Sequence, residues 1–316
     1  MLLPFCDDSM TVYRSLAEIP HNPLSVLTIG TFDGVHRGHQ QVIGALTQAA
    51  KERGGRSVVI TFDPHPQEVI RRHGTTVDIL TTIEERQEQF RRLGVDAVVV
   101  IPFTREFAAT PWEEFVEQLE SQIGIAHMIV GHDHAFGKDR KGNAESLRGY
   151  GAEHGFGVTE IGPLVVAGET ISSTKIRRAL AEGDLGKAAE YLGRNYSLSG
   201  TVVRGDGRGR KLGIPTANIS PINPNKLIPA NGVYCVRMEV GGVWHRGMGN
   251  IGVRPTFTDA TQRTIEVNLF NFAEEIYNQI VTVELCKFAR SEQKFSSVDE
   301  FLQQLERDRA TCQAAA

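Results

Sequence analysis

At 316 residues, with 41% hydrophobic and 23% charged residues, the chain exceeds one ordinary domain and is apolar enough to bury at least one sizeable core. A net charge of -4, with acidic and basic residues mixed throughout, argues against nucleic acid or an anionic membrane as a partner, so any phosphate chemistry has to be local. Cys6, Cys235, Cys286 and Cys312 form no C-x-x-C pair, which predicts neither a zinc site nor a disulfide framework, and no window is apolar for long enough to cross a bilayer.

Residues 1–24 read as a lead-in that gains Cys6, Asp7 and Asp8 before any signal-peptide core, so an unexported, cytoplasmic protein is expected. Over residues 25–188 short β-branched runs alternate with amphipathic stretches, which predicts a parallel sheet flanked by helices. Strands are expected at 26–29, 58–62, 97–101 and 128–130. Thr82 with Glu85, and Thr110 with Glu113, have capping-box spacing, Pro111 suits a first helical turn, and Gly94 closes a helix over 84–93. Over residues 189–316 the rhythm changes. Runs at 196–203, 232–240, 243–249, 264–270 and 280–288 follow one another across turns, predicting an antiparallel sheet or small barrel. One helix follows, capped by Ser297 with Glu300 and carrying Phe301, Leu302 and Leu305 on one face.

The densest motif is Gly30-Thr31-Phe32-Asp33-Gly34-Val35-His36-Arg37-Gly38-His39, between the first strand and a helix running to about Arg53. A helix N-terminus at the carboxyl end of a parallel strand offers unpaired N–H groups to a phosphate. The glycines allow close approach, and His36 and His39, three residues apart, can reach one point; the pair also reads as a polar loop and helix cap. Ser172-Ser173-Thr174 followed by Lys175, Arg177 and Arg178 is a hydroxyl-rich helix start with cations one turn inside, fit for a phosphate clamp or for an ordinary cap. Phe62-Asp63-Pro64-His65-Pro66 stiffens the exit of the second strand, either to project side chains over the sheet edge or merely as a rigid turn.

Downstream, the glycine-rich and basic segment 200–218 fails the dinucleotide fingerprint, because Leu212 stands where its third glycine is needed. It remains either an anion-binding nest or a hairpin with solvated arginines. Thr216 and Asn218 are two residues apart, on one face of a strand, where hard oxygens could hold Mg²⁺ beside nucleotide phosphates. Glu266, inside the apolar run 265–270, is the candidate base, with an outward-facing strand residue as the alternative.

The 30–39 segment resembles the nucleotidyltransferase signature, in which the two histidines contact ATP phosphates. With 62–66, 102–107, 131–137 and 171–177 in that order, the chain is similar to bacterial bifunctional FAD synthetases. The segment 205–218, ending Pro215-Thr216-Ala217-Asn218, resembles the flavokinase signature, and 247–257 with 292–295 extend the likeness to residues 24–309. The resemblance implies an α/β plus β architecture: a Rossmann-like nucleotidyltransferase domain and an antiparallel flavokinase β-barrel with a terminal helix. It implies that Gly30, Phe32, Asp33, Gly38, Ser173, Thr174 and Arg177 hold ATP while His36 and His39 stabilise the attacked α-phosphate. Phe62, Asp63, Pro64 and His65 then lie on the flavin side. In the barrel, Gly205, Gly209, Arg210 and Gly213 cradle phosphates, Thr216 and Asn218 organise Mg²⁺, and Glu266 accepts the proton of the ribityl 5′-hydroxyl. ATP, riboflavin and FMN are the implied substrates; the oligomeric state stays open. Thr31, His132, His134, Asn268 and Asn271 depart from the pattern: the two histidines replace aromatics, and the two asparagines stand where a histidine and an aspartate are frequent.

Overall fold

A computed structural model of the chain describes residues 10–70, 77–205, 214–254 and 262–314, in two units, Met1–Ser172 and Ser173–Ala316. In the first unit β1 (Thr11–Tyr13), β2 (Ser25–Ile29), β3 (Arg56–Asp63), β4 (Ala97–Pro102), β5 (His127–Gly131) and β6 (Gly157–Ile161) form one parallel sheet in the order β1-β4-β3-β2-β5-β6. All five residues of β2 are buried, because helices cover both faces and a two-sided strand can be apolar throughout. Alternate residues feed opposite cores. Val26, Val59 and Val98 pack with Ile43 and Leu46 of α1 (Arg37–Glu52), whereas Leu27, Val58 and Ile60 share a core with residues farther along the chain.

The remaining helices of this unit are α2 (Pro66–Ile70), α3 (Ile83–Arg92), α4 (Arg105–Ala108), α5 (Trp112–Gln122) and α6 (Ala144–His154). Phe90 of α3 joins the α1 side, and Phe115, Leu119 and Leu147 of α5 and α6 join the other. The Thr82–Glu85 capping box forms in both directions, and Gly94 follows α3 at φ +74°. The Thr110–Glu113 box does not form. Pro111 itself is the cap of α5, which moves the pair one position out of step, and the Thr110 carbonyl accepts the Lys138 N–H instead. A hairpin of β7 (Val165–Val166) and β8 (Glu169–Thr170) ends the unit.

The second unit opens with α7 (Ser173–Ala181) and α8 (Leu185–Leu192). Six antiparallel strands follow: β9 (Tyr196–Val203), β10 (Ala217–Pro221), β11 (Gly232–Val240), β12 (Val243–Arg254), β13 (Gln262–Leu269) and β14 (Ile280–Arg290). They close a barrel in the order β10-β13-β12-β11-β14-β9, and β9 alternates buried and half-exposed residues as a one-sided strand must. The terminal helix, α9 (Val298–Ala314), docks on this barrel through the face its sequence suggests, with Leu305 packing beside Cys312 against Cys235, Met248 and Phe270. Asp308 and Cys312 follow on the same face and are buried, and the Phe301 ring meets Phe295 at 5.3 Å.

Cys312 is disulfide-bonded to Cys235 of β11, contrary to the expectation of no disulfide. The two residues are 77 apart in sequence, and only the packing of α9 on β11 brings their Cα atoms to 4.8 Å. One turn earlier, Arg290 grips Asp308 with Nε at 3.0 Å from Oδ1 and Nη2 at 2.7 Å from Oδ2. Asp308→Ala removes the partner of that guanidinium and is expected to destabilise the second unit by about 3 kcal/mol in urea unfolding. The double change Arg290→Met with Asp308→Leu should recover most of the loss, since no charge is then left unpaired.

Candidate functional sites

Strand order reverses between β2 and β5, and in an open parallel sheet ligands bind beyond the carboxyl ends of the strands at such a point. The chain leaving β2 there is held in a strained shape. Phe32 and Val35 adopt φ +49° and +39°, a region that costs a bulky or β-branched residue about 1–3 kcal/mol. Asp33, 2% exposed, holds the turn by accepting the Leu80 N–H at 2.9 Å, the Thr81 N–H at 3.0 Å and the Thr81 hydroxyl at 3.3 Å. Gly34 N–H donates to the same Thr81 oxygen at 2.9 Å. Buried Arg86 ties the neighbouring strand ends together, donating through Nη1 to Thr31 O (2.8 Å), Thr61 Oγ1 (3.0 Å) and Phe62 O (3.2 Å).

His36 caps α1 by accepting the His39 N–H on Nδ1 at 3.3 Å, so its own ring proton sits on Nε2. The two imidazoles stack, with centroids 3.6 Å apart, and Phe32 meets His39 edge-on at 5.3 Å. The cap and the paired-ring readings are therefore both realised. A Cβ on Gly38 would lie 3.3 Å from the His36 ring, and one on Gly30 would lie 3.0 Å from the Phe32 ring. Burial first, and the neighbouring His36 second, push the His39 imidazole well below its usual range, which keeps it neutral. Its Nδ1 is enclosed and has no hydrogen-bond partner among the described residues.

On the opposite face of the sheet, Phe62 is buried against Phe103 at 5.5 Å and Phe107 at 5.7 Å. The Asp63–Pro64 bond is cis, the Asp63 carbonyl accepts the Phe103 N–H, and buried His65 accepts the Gln67 N–H at 3.2 Å. Ser173 and Thr174 open α7, with Arg177 one turn in and Ile176, Ala179 and Leu180 buried. Gly209, Arg210 and Gly213 lie outside the described residues.

In the barrel, register assembles the second constellation. Asn218 of β10 lies opposite Glu266 of β13, which lies opposite Asn250 of β12. Directly paired residues project to the same face, so the three line the outside of the barrel while Ile251, Ile265 and Val267 fill it. The Thr216 hydroxyl donates to Glu266 Oε2 at 3.4 Å. Asn268 Nδ2 donates to the Pro215 carbonyl at 2.7 Å, which anchors the segment carrying Thr216, and Asn271 takes φ +54°, a conformation asparagine tolerates. A side chain at Gly205 would strike the Asn218 amide, 2.3 Å from its Cβ position. Asn250 went unnoticed in the sequence, because only strand pairing puts it beside Glu266.

A family model described as FAD synthetase matches residues 18–175, and one described as Riboflavin kinase matches residues 192–316. The bifunctional riboflavin kinase/FMN adenylyltransferase of Listeria monocytogenes is 41% identical over 283 residues, covering 90% of each chain. That of Escherichia coli K12 is 37% identical over 308 residues, covering 96% of each. The chain belongs to the bifunctional riboflavin kinase/FMN adenylyltransferase family. A crystal structure described as a macrolide-efflux protein from Streptococcus pneumoniae also matches, with TM-score 0.88 and 31% identity over 96% of this chain and 98% of that one. Among the described residues no helix is long and apolar enough to cross a membrane.

Within this family architecture, with the FAD synthetase domain first and the riboflavin kinase domain second, Asp33 is placed to hold the loop rather than to present its carboxylate outward. Asp33→Ala strands two buried N–H groups and lets residues 30–36 relax. It is expected to destabilise the first unit by about 3 kcal/mol in denaturant melts and to weaken FAD formation, leaving FMN formation from riboflavin unchanged.

Proposed function

We propose that the chain makes FAD from riboflavin in the cytoplasm in two steps at two separate sites. In the barrel, the ribityl 5′-hydroxyl attacks the γ-phosphate of ATP, the bond to the β-phosphate oxygen breaks, and FMN and ADP result. In the parallel-sheet domain, the FMN phosphate attacks the α-phosphate of a second ATP, giving FAD and pyrophosphate. The observation that carries this reading is the convergence of Thr216, Asn218 and Glu266 on one barrel face in a chain whose His36–His39 pair lies at a helix N-terminus.

Glu266 is the acceptor for the hydroxyl proton, positioned by the Thr216 donor on its carboxylate. Thr216 and Asn218 offer a hydroxyl and an amide oxygen beside that carboxylate, the hard donor set that suits Mg²⁺ when phosphates and water complete its shell. Mg²⁺ bound there would neutralise phosphate charge.

In the first domain, His36 at the α1 N-terminus carries its ring proton on Nε2, a donor suited to developing phosphate charge, and neutral His39 stacks beside it. The adenylyltransferase domain is taken to run over residues 25–188, so that Ser173, Thr174 and Arg177 serve it as the β/γ-phosphate clamp, and the kinase domain over 189–316. No covalent intermediate is needed, because loose phosphoryl transition states respond mainly to positioning and charge.

Purified chain with ATP, Mg²⁺ and riboflavin is expected to yield FMN and FAD. Glu266→Ala should cut FMN formation by about a hundredfold or more while FMN-to-FAD conversion continues, and the pair His36→Ala with His39→Ala should do the reverse. Loss of both reactions from either folded variant would refute the two-site assignment.

A further inference from the structure

On the outer face of the barrel a line of side chains runs from the terminal helix to the Thr216 segment. Cys235 of β11 lies opposite Met248 of β12, and Met248 lies opposite Asn268 of β13. Directly paired residues share a face, so the three sit side by side across adjacent strands. Asn268 Nδ2 in turn holds the Pro215 carbonyl at 2.7 Å, next to Thr216. Cys312 of α9 closes the other end of the line through its bond to Cys235. Cys235, Met248, Phe270 and Cys312 form a small buried cluster, and Leu305 and Ile214 pack against it. Ile214 stands two residues before Thr216, so the cluster also touches the segment that delivers the Thr216 hydroxyl to Glu266.

Two ties hold α9 to the strands. Asp308 binds Arg290 of β14, and Cys312, one turn on, binds Cys235. Cutting the second tie leaves the first, so the helix stays docked while its last turn, ending at Ala314, becomes free to fray. Two of the four buried members of the cluster are the bonded cysteines themselves, and parting them loosens the packing on Met248, Phe270 and Ile214. In the cytoplasm proposed for this chain, a disulfide is redox-sensing more often than structural. Cys286 is the thiol left over among the described cysteines. Burial first, and Glu284 beside it second, push that thiol up, which keeps it protonated and slow to exchange.

We infer that the Cys235–Cys312 bond is a redox latch on riboflavin phosphorylation: closed, it keeps the Thr216 segment packed and the kinase site ordered, and opened by a dithiol reductant it releases the last turn of α9 and slows the reaction. One thiolate of the reductant attacks the Cys312 sulfur as the last turn frays, the bond between the two cysteine sulfurs breaks, and Cys235 leaves as a thiolate. The reductant's second thiolate then attacks the reductant sulfur of the mixed disulfide and releases Cys312. The chain gains two electrons and two protons, and the reductant departs as its own disulfide. A disulfide oxidant taken through the same steps in reverse closes the latch. This inference rests on the reading of the second domain as the riboflavin kinase.

The test compares the full chain isolated without reductant with the same preparation held in dithiothreitol without oxygen. Alkylation in denaturant should modify two fewer cysteines before reduction than after it. FMN formation from riboflavin, ATP and Mg²⁺ is expected to fall about fivefold or more on reduction, with circular dichroism unchanged, and to recover on reoxidation. FMN-to-FAD conversion, carried by the first domain, should hold in both states. Cys312→Ser should match the reduced wild type and ignore dithiothreitol, while Cys286→Ser should respond as the wild type does. If Cys312→Ser does not fold, the wild-type comparison decides alone. Equal FMN formation in the two states, or equal alkylation before and after reduction, overturns the latch, as does a response that disappears with Cys286→Ser. A wild-type chain that makes no FMN in either state overturns the kinase reading, and this inference with it.

Discussion

Asp33 accepts the Leu80 and Thr81 amides from beneath the loop that leaves β2, and that grip keeps Phe32 and Val35 in backbone conformations they would not adopt alone. The consequences run outward from it. Phe32, once turned inward, meets both Phe90 in the core and the edge of His39. The chain then enters α1 with His36 as its cap, and the two imidazoles stack at the helix N-terminus. Strain, capping and ring stacking thus share a single short loop held by one buried carboxylate.

The barrel gathers hard donors without a helix terminus. Antiparallel pairing sets Asn218, Glu266 and Asn250 side by side, and alternation turns them outward while their neighbours fill the interior. Asn268 fastens the Pro215 carbonyl, so the Thr216 hydroxyl arrives within reach of the Glu266 carboxylate. Rigidity there comes from the closed sheet, which has no free edge among its six strands.

Much of this architecture is legible from the chain because its physics is local. The apolar runs of β2 to β5 announce two-sided strands, and Thr82 with Glu85 announces a helix start that forms as spelled. Where two local signals compete the reading fails: Pro111 takes the cap position and displaces the Thr110–Glu113 box. Long-range features leave no such trace. Cys235 and Cys312 meet across 77 residues, Asn250 joins Glu266 only through register, and Asp33 looks like a ligand contact until Leu80 and Thr81 come to meet it. In the 30–39 motif, Gly30 and Gly38 make room for the Phe32 and His36 rings.

If FMN formation and FMN adenylylation occupy separate constellations in one chain, variants disabled at each should rescue one another. The most direct measurement is FAD production from riboflavin, ATP and Mg²⁺ by a mixture of Glu266→Ala protein and His36→Ala/His39→Ala protein. Neither alone should make FAD, while the mixture should, as FMN released by the second variant is adenylylated by the first. A mixture that accumulates FMN but never forms FAD, while the Glu266→Ala protein still cannot use added FMN, would contradict the account.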